Sequence, residues 1–210
     1  MSTQHLSEQE QIRRDKLTEL QKLGIDPFPA PLYPVSITSA TIKETYKGEE
    51  NKADFADVCL AGRIMSVRDM GKASFAVIQD SAGKIQLYVK RDDVCPGEDK
   101  SLYDQVWKKL LDIGDIIGVK GYAFRTKMGE ISIHVSEYKL LTKALKPLPI
   151  VKEKDGETFD AVSDPEFRYR QRYADLIVNP QVKDVFIKLT NGINHFSAFY
   201  KHIFHLWIHN

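Results

Sequence analysis

The chain has 210 residues, 42% of them hydrophobic and 28% charged, an ordinary composition for one or two globular domains. Its formal net charge is +1, so no overall field gathers polyanions, and any nucleic-acid contact must come from a local patch or a shaped pocket. The polar start has no apolar core of the signal-peptide kind, and no run nears the roughly 20 apolar residues of a membrane span. Two cysteines make no disulfide framework, so a reducing cytoplasm is the expected setting. Cys59 is expected in the core of a strand and Cys95 in a turn beside Pro96 and Gly97.

Ser7 and Glu10 have capping-box spacing and open a helix carrying Ile12, Leu17, Leu20 and Leu23 on one face. Gly24 is suited to end it in a left-handed conformation. Arg13, Arg14, Lys16 and Lys22 are expected on the other face, either solvated or near a phosphate backbone. The prolines at 27, 29, 31 and 34 force an extended connection. Thr38 caps a short helix running through Ile42 and Tyr46, and residues 48–54 read as a charged loop.

Residues 57–141 organise the rest. Val58, Leu60 and Ile64 mark a first strand, with Gly62 where a bend or close approach is needed. Ser74 to Gln79 is a second strand, joined through the turn residues Asp80 to Gly83 to a third, Ile85 to Lys90. A helical pattern over residues 99–111 precedes a fourth strand, Ile116 to Arg125. The turn Lys127 to Glu130 leads into a fifth, in which Ile131, Ile133 and Val135 alternate with Ser132, His134 and Ser136. Three strands, a helix and two strands match a five-stranded OB-fold barrel. The expected fold is therefore mainly β with helices. A helical extension (residues 1–56) precedes the barrel (57–146), and a helical C-terminal part follows it (147–210). Within that part, Lys143 to Pro149 reads as a basic linker, Glu157 to Ser163 as a loose polar stretch, and Gln181 as the start of a helix with Val182, Val185, Phe186 and Leu189.

Unpaired bases are held by aromatic stacking and by hydrogen bonds to their exposed edges. Alternation in Ile85-Gln86-Leu87-Tyr88-Val89 puts Gln86 and Tyr88 on one face and the aliphatic residues on the other. With the aliphatic face in the core, Gln86 points outward, and its amide can donate to a uracil carbonyl and accept from N3–H. Phe75 on the second strand is a candidate platform, Glu130 a candidate acceptor, and Arg68 a candidate stacking or donating group. Taken singly, Phe75, Gln86 and Glu130 are each better explained as half-buried or solvated surface residues, and composition and spacing alone do not overturn that.

The blocks GKASF, IQLYV, TKALKPLP and RYRQRY closely resemble bacterial-type class II lysyl-tRNA synthetases, and the likeness extends over about residues 5–188. That resemblance implies an N-terminal barrel that binds the uridine-rich anticodon of a lysine tRNA. Phe75 would stack on the central anticodon base, Gln86 and Glu130 would hydrogen-bond it, and Arg68 would contact a base or the backbone. It also implies ATP and Mg2+ for the family's reaction, which attaches lysine to tRNA. The signatures of that catalytic core lie beyond the similar region, so this chain is expected to hold no cofactor, to lack catalytic residues and to be inactive alone. Partners implied are the lysine tRNA, and a second copy or a full-length synthetase, with no membrane.

The last 22 residues depart from the family pattern. They carry Phe196, Phe199, Tyr200, Phe204 and Trp207 with no acidic residue, and His202, His205 and His209 at helical spacing. An aberrant end is the favoured reading, with a docking helix and a metal-binding histidine face as alternatives. Two rivals to anticodon binding remain: a sequence-tolerant single-strand binder on the same barrel, and a module that docks on a full-length synthetase.

Overall fold

The computed structural model describes residues 6–149, 152–154, 157–159 and 165–208, with backbone alone for 152–154, 157–159 and 202–208. The chain divides into two compact units, Met1–Pro147 and Leu148–Asn210.

The first unit opens with helix α1, Glu8–Lys22, whose capping box forms: Glu10 N–H donates to Ser7 Oγ (3.3 Å) and Ser7 N–H to the Glu10 carboxylate (3.0 Å). Gly24, at φ +74°, ends it. Gly24 N–H reaches the Gln21 carbonyl and Ile25 N–H the Leu20 carbonyl, the paired bonds of a left-handed helix terminus. Leu20 packs fully into the core. The charged face differs from expectation. Arg13 is buried, donating to the carbonyls of Ile113 (2.8 Å) and Ala144 (2.9 Å), and Lys16 pairs with Asp112 at 2.6 Å. These cations tie α1 to the barrel instead of facing solvent.

Helix α2, Ser39–Thr45, is capped by Thr38 as expected, and the stretch Gly48–Phe55 forms tight helical turns where a loop was anticipated. Five strands follow: β1 (Val58–Asp69), β2 (Ala73–Gln79), β3 (Lys84–Lys90), β4 (Ile116–Arg125) and β5 (Ile131–Thr142). They close into a barrel in the order β1-β2-β3-β5-β4, with only the β3–β5 pair parallel. Short helix α3, Arg91–Val94, and a wide π-type helix, Leu102–Leu110, lie between β3 and β4. Tyr103, Val106 and Trp107 of the π-type helix are buried in the core, and Tyr103 bonds Ser74 Oγ at 2.7 Å.

Alternation fills the barrel. Leu60, Ile64, Ile78, Ile85, Leu87, Ile117, Val119, Ile133 and Val135 are all fully or almost fully buried. Each contributes about 1.5–3 kcal/mol relative to exposure. Cys59 falls on the outer phase of β1 and is half-buried, against expectation, while Cys95 lies in the irregular segment after α3, as expected, and is buried in the core.

The register shifts at three places, once between β1 and β2 and twice between β4 and β5, where Leu141 is one of the extra residues. Ile64 pairs with Ile78 and Ser66 with Val77, leaving Met65 as an extra residue in β1. Even-numbered residues face inward before it, and after it Arg68 pairs with the outward-facing Phe75, which brings Arg68 to the exterior. The other extra residue on β5 is Ser136, between Val135, which pairs with Gly121, and Glu137, which pairs with Lys120. Any Cβ at Gly121 would lie 2.0 Å from the His134 carbonyl oxygen, so only glycine permits the strands this approach.

Lys143, expected in a linker, is fully buried just past β5. Its ammonium donates to the Leu110 carbonyl (2.7 Å), Asp112 (2.6 Å) and Asp115 (2.8 Å).

In the second unit, β6 (Lys152–Lys154) pairs with β7 (Glu157–Phe159), so part of the stretch expected to be loose is a strand. Helices α4 (Pro165–Arg170), α5 (Arg172–Val178) and α6 (Pro180–Ile208) follow. Asp175 is buried and bonded by Asn179 (2.7 Å), Arg168 (3.2 Å) and Arg172. Val185, Leu189, Ile193, Phe196 and Phe199 of α6 are exposed. The expected histidine face falls outside the described side chains. Among the described residues no helix is long and apolar enough to cross a membrane.

Candidate nucleic-acid interface

Directly opposed residues on neighbouring strands point to the same side of a sheet. On the barrel's exterior one such row runs through all five strands. Arg68 on β1 opposes Phe75 on β2, Phe75 opposes Tyr88 on β3, Tyr88 opposes His134 on β5, and His134 opposes Tyr122 on β4. The next row runs Ser66, Val77, Gln86, Ser132 and Phe124.

The rings touch. Phe75 and Tyr88 lie 5.1 Å apart in a tilted arrangement, and the Tyr88–His134 pair meets edge-on at 5.1 Å. Tyr122 stacks on His134 at 4.8 Å, and Phe124 lies within 6.0 Å of Tyr88 and 5.9 Å of His134. These five rings form a continuous half-exposed aromatic belt, with the Arg68 guanidinium at one end. Such a surface has π-faces for bases and one cation able to stack or meet a phosphate.

Of the four residues singled out from the sequence, Phe75 and Gln86 are half-buried and outward-facing, as alternation implies. Arg68 is exposed and stands directly across from Phe75. Gln86 sits one row away, opposite Ser132. Glu130 precedes β5, two residues before Ser132, and is exposed. Its carboxylate pairs with Lys43 of α2 at 3.4 Å, an exchangeable surface contact. Arg68, Phe75 and Gln86 thus share one face, and Glu130 lies at its rim.

Tyr88, Tyr122, Phe124 and His134 were not singled out. Tyr88 was legible as a companion of Gln86 by phase, but the others needed the register between β3, β5 and β4. His134 is held at both ring nitrogens, Nε2 by Asp93 (2.6 Å) and Nδ1 by the Tyr122 hydroxyl (2.8 Å). A carboxylate only accepts, so in the neutral ring Nε2 carries the hydrogen and Tyr122 donates to Nδ1. Burial pushes the Asp93 carboxyl up, but bonds from His134 and Lys90 outweigh it and hold the group below the usual carboxylate range. Lys90 approaches Asp93 at 3.2 Å.

Beside the belt is a groove of about 450 Å³ between the turns Gly48–Phe55 and β4, lined by Tyr46, Glu49, Lys52, Tyr122, Phe124 and Arg125. Among the described residues no group of three or more His, Cys, Asp or Glu side chains is placed to hold a metal.

Residues 58–141, essentially the whole barrel, match the tRNA anticodon family model, an OB-fold nucleic acid binding domain. The chain is 58% identical over 200 residues to a lysine–tRNA ligase of Porphyromonas gingivalis, covering 95% of this chain and 34% of that protein. The ligase of Christiangramia forsetii is 56% identical over 198 residues, 94% of this chain and 34% of its own length. That of Azobacteroides pseudotrichonymphae is 54% identical over 195 residues, covering 93% and 38%. The chain spans about a third of the length of these relatives.

Proposed function

The chain belongs with the lysine–tRNA ligases, matching about a third of their length, and from that premise we propose that its barrel binds the anticodon loop of a lysine tRNA. The observation that carries this reading is the exterior row Arg68, Phe75, Tyr88, His134, Tyr122, an aromatic belt on the outer face of the barrel. A duplex hides its bases, whereas an anticodon loop presents several unstacked, with ring faces and Watson–Crick edges free.

The roles follow from position. Phe75 stacks on one base, with Arg68 alongside to meet the same base or its phosphate. Gln86, one row over, donates to a uracil carbonyl and accepts from its N3–H. Glu130 accepts from a base N–H after exchanging its ion pair with Lys43. A carboxylate held against N3–H favours uracil, since cytosine offers no N3–H there, whereas the Gln86 amide, once flipped, can meet the edge of either base. Ligation of lysine to its tRNA, the activity the relatives' names state, is proposed only as the setting in which this barrel works. ATP and Mg2+ belong to that reaction, and no residue of this chain is assigned to them.

The test is binding of a labelled anticodon stem-loop to the full chain, followed by fluorescence anisotropy at fixed salt. Stacking contributes about 1–3 kcal/mol per base, so Phe75→Ala is expected to weaken binding by about 5- to 150-fold. Unchanged affinity would refute the reading. A cytidine-rich loop that bound as tightly as a uridine-rich one would favour a sequence-tolerant single-strand binder.

A further inference from the structure

We propose that His134 is a proton-linked positioning residue. Uptake of a second ring hydrogen turns the Tyr122 hydroxyl around and adds a positive charge beneath the aromatic belt, so that RNA binds more tightly as pH falls. The proposal rests on the anticodon-binding reading and adds its regulation by protons.

The geometry is a chain of three groups on three elements. Asp93 of α3 meets Nε2 of His134 at 2.6 Å, and the Tyr122 hydroxyl of β4 meets Nδ1 at 2.8 Å. In the neutral ring each nitrogen has one role: Nε2–H donates to the carboxylate, and Nδ1 accepts from the hydroxyl. A second ring hydrogen, on Nδ1, makes both nitrogens donors. The Tyr122 oxygen then accepts where it had donated, and its own hydrogen turns away from the imidazole. One proton thus selects between two arrangements of the same three side chains.

The setting lets that proton in and gives its charge an effect. The His134 side chain keeps 17% of its surface accessible and Asp93 keeps 31%, so uptake needs no opening of the barrel. The titratable and charged groups that face His134 are Asp93, Lys90 at the end of β3, which lies 3.2 Å from Asp93, Tyr88 of β3 and Tyr122. Asp92 of α3 is engaged elsewhere, by Lys100 at 3.3 Å and Arg91 at 3.4 Å. Burial works against the Asp93 charge, but bonds from His134 and Lys90 outweigh it, so the carboxylate stays ionised where histidine side chains ordinarily take up protons. Asp93, Lys90 and a neutral ring carry no net charge, and the second ring hydrogen makes the group cationic. That charge sits among the rings of Tyr122, Tyr88 and Phe124, whose centroids are 4.8, 5.1 and 5.9 Å from the imidazole. A phosphate backbone crossing the belt is drawn to it, and the half-buried position limits screening by salt. The coupling is reciprocal: the factor by which the proton tightens RNA binding equals the factor by which RNA tightens proton binding.

The experiment uses the full chain and the labelled anticodon stem-loop at fixed ionic strength, between about pH 8 and about pH 5.5, the span in which histidine titrates. Affinity is expected to rise about three- to tenfold across that span, the scale of one added charge near a phosphate. The His134 ring resonance, followed by NMR, reports the midpoint of proton uptake directly. Saturating RNA should move that midpoint upward, a tenfold gain in affinity corresponding to about one pH unit. Asp93→Asn removes the charge that favours the protonated ring, so both the midpoint and the rise in affinity should move to lower pH. His134→Gln cannot titrate and should flatten the profile, with matching thermal melts excluding misfolding. A flat or inverted profile in the wild type, or a rise that survives His134→Gln unchanged, would overturn the proton link. In those cases the anticodon reading still stands if Phe75→Ala weakens binding at every pH. If Phe75→Ala changes nothing at any pH, that reading falls and the proton link with it.

Discussion

A lysine without solvent exposure persists only where its charge is answered from several sides. Lys143 has Asp112, Asp115 and the Leu110 carbonyl within 2.8 Å, and Asp115 is itself fully buried. Lys143→Met keeps most of the apolar stem but strands a buried carboxylate. Removing one partner of a buried pair costs about 3–5 kcal/mol. Asp115 keeps N–H donors from Asp112 and Ala144, both at 2.8 Å, so a loss near 3 kcal/mol is expected in urea denaturation. A loss below about 1 kcal/mol would show that the cluster is not where the barrel's underside gets its stability. Nothing in the local sequence announces this role. Lys143 stands among prolines and another lysine, and the groups that bury it lie about 30 residues earlier. Arg13 and Lys16 mislead in the same way, because their partners, Ile113, Ala144 and Asp112, are about 100 residues or more away.

At the scale of strands, phase decides which residues reach the interface. Met65 is the extra residue that lets Leu60 and Ile64 face inward and Arg68 outward on one strand. Deleting Met65 regularises the β1–β2 pair, with Ile64 still opposite Ile78 and Arg68 still opposite Phe75. A deletion inside a strand ordinarily inverts every side chain beyond it. This one is expected to leave stem-loop affinity within about threefold, with a loss of about 1 kcal/mol in stability as the strand loses its local bend. Anisotropy and urea denaturation read the two quantities, and abolished binding would show that the bulge shapes the interface directly. The strands themselves were legible because an aliphatic side chain at every second position is a local signal, clearest in Ile85-Gln86-Leu87-Tyr88-Val89. From it the outward aim of Gln86 followed. Arg68 was different, since a bulge leaves composition unchanged and is defined only by the partner strand. The row from Phe75 to Tyr122 was illegible for the same reason: it exists only once the parallel β3–β5 pairing sets the register between distant segments.

Across the whole barrel unit, several carboxylates are tied into the fold, which makes its stability depend on acid in a predictable direction. Burial raises the Asp112 pKa, but bonds from Lys143 and Lys16 outweigh it and leave the group below its usual range. Asp80, at the β2–β3 turn, is raised by burial and lowered further by Ser39, Gly83 and Ala82, so it too ends low, as does Asp93. A carboxylate with a depressed folded pKa titrates near 3.9 in the unfolded chain and lower in the native one. As pH falls through about 4, the unfolded chain takes up protons first, so acid favours unfolding. The contribution is complete above about pH 5 and is lost as pH drops through the folded values. Urea midpoints should therefore hold steady from pH 7 to 5, as far as these groups decide, and fall below pH 4. Lys143→Met, which removes one of the two ammonium partners of Asp112, should flatten that acid limb relative to the wild type. An acid limb of equal slope in both proteins would assign the loss to the other depressed carboxylates of the unit, Asp80 and Asp93 among them.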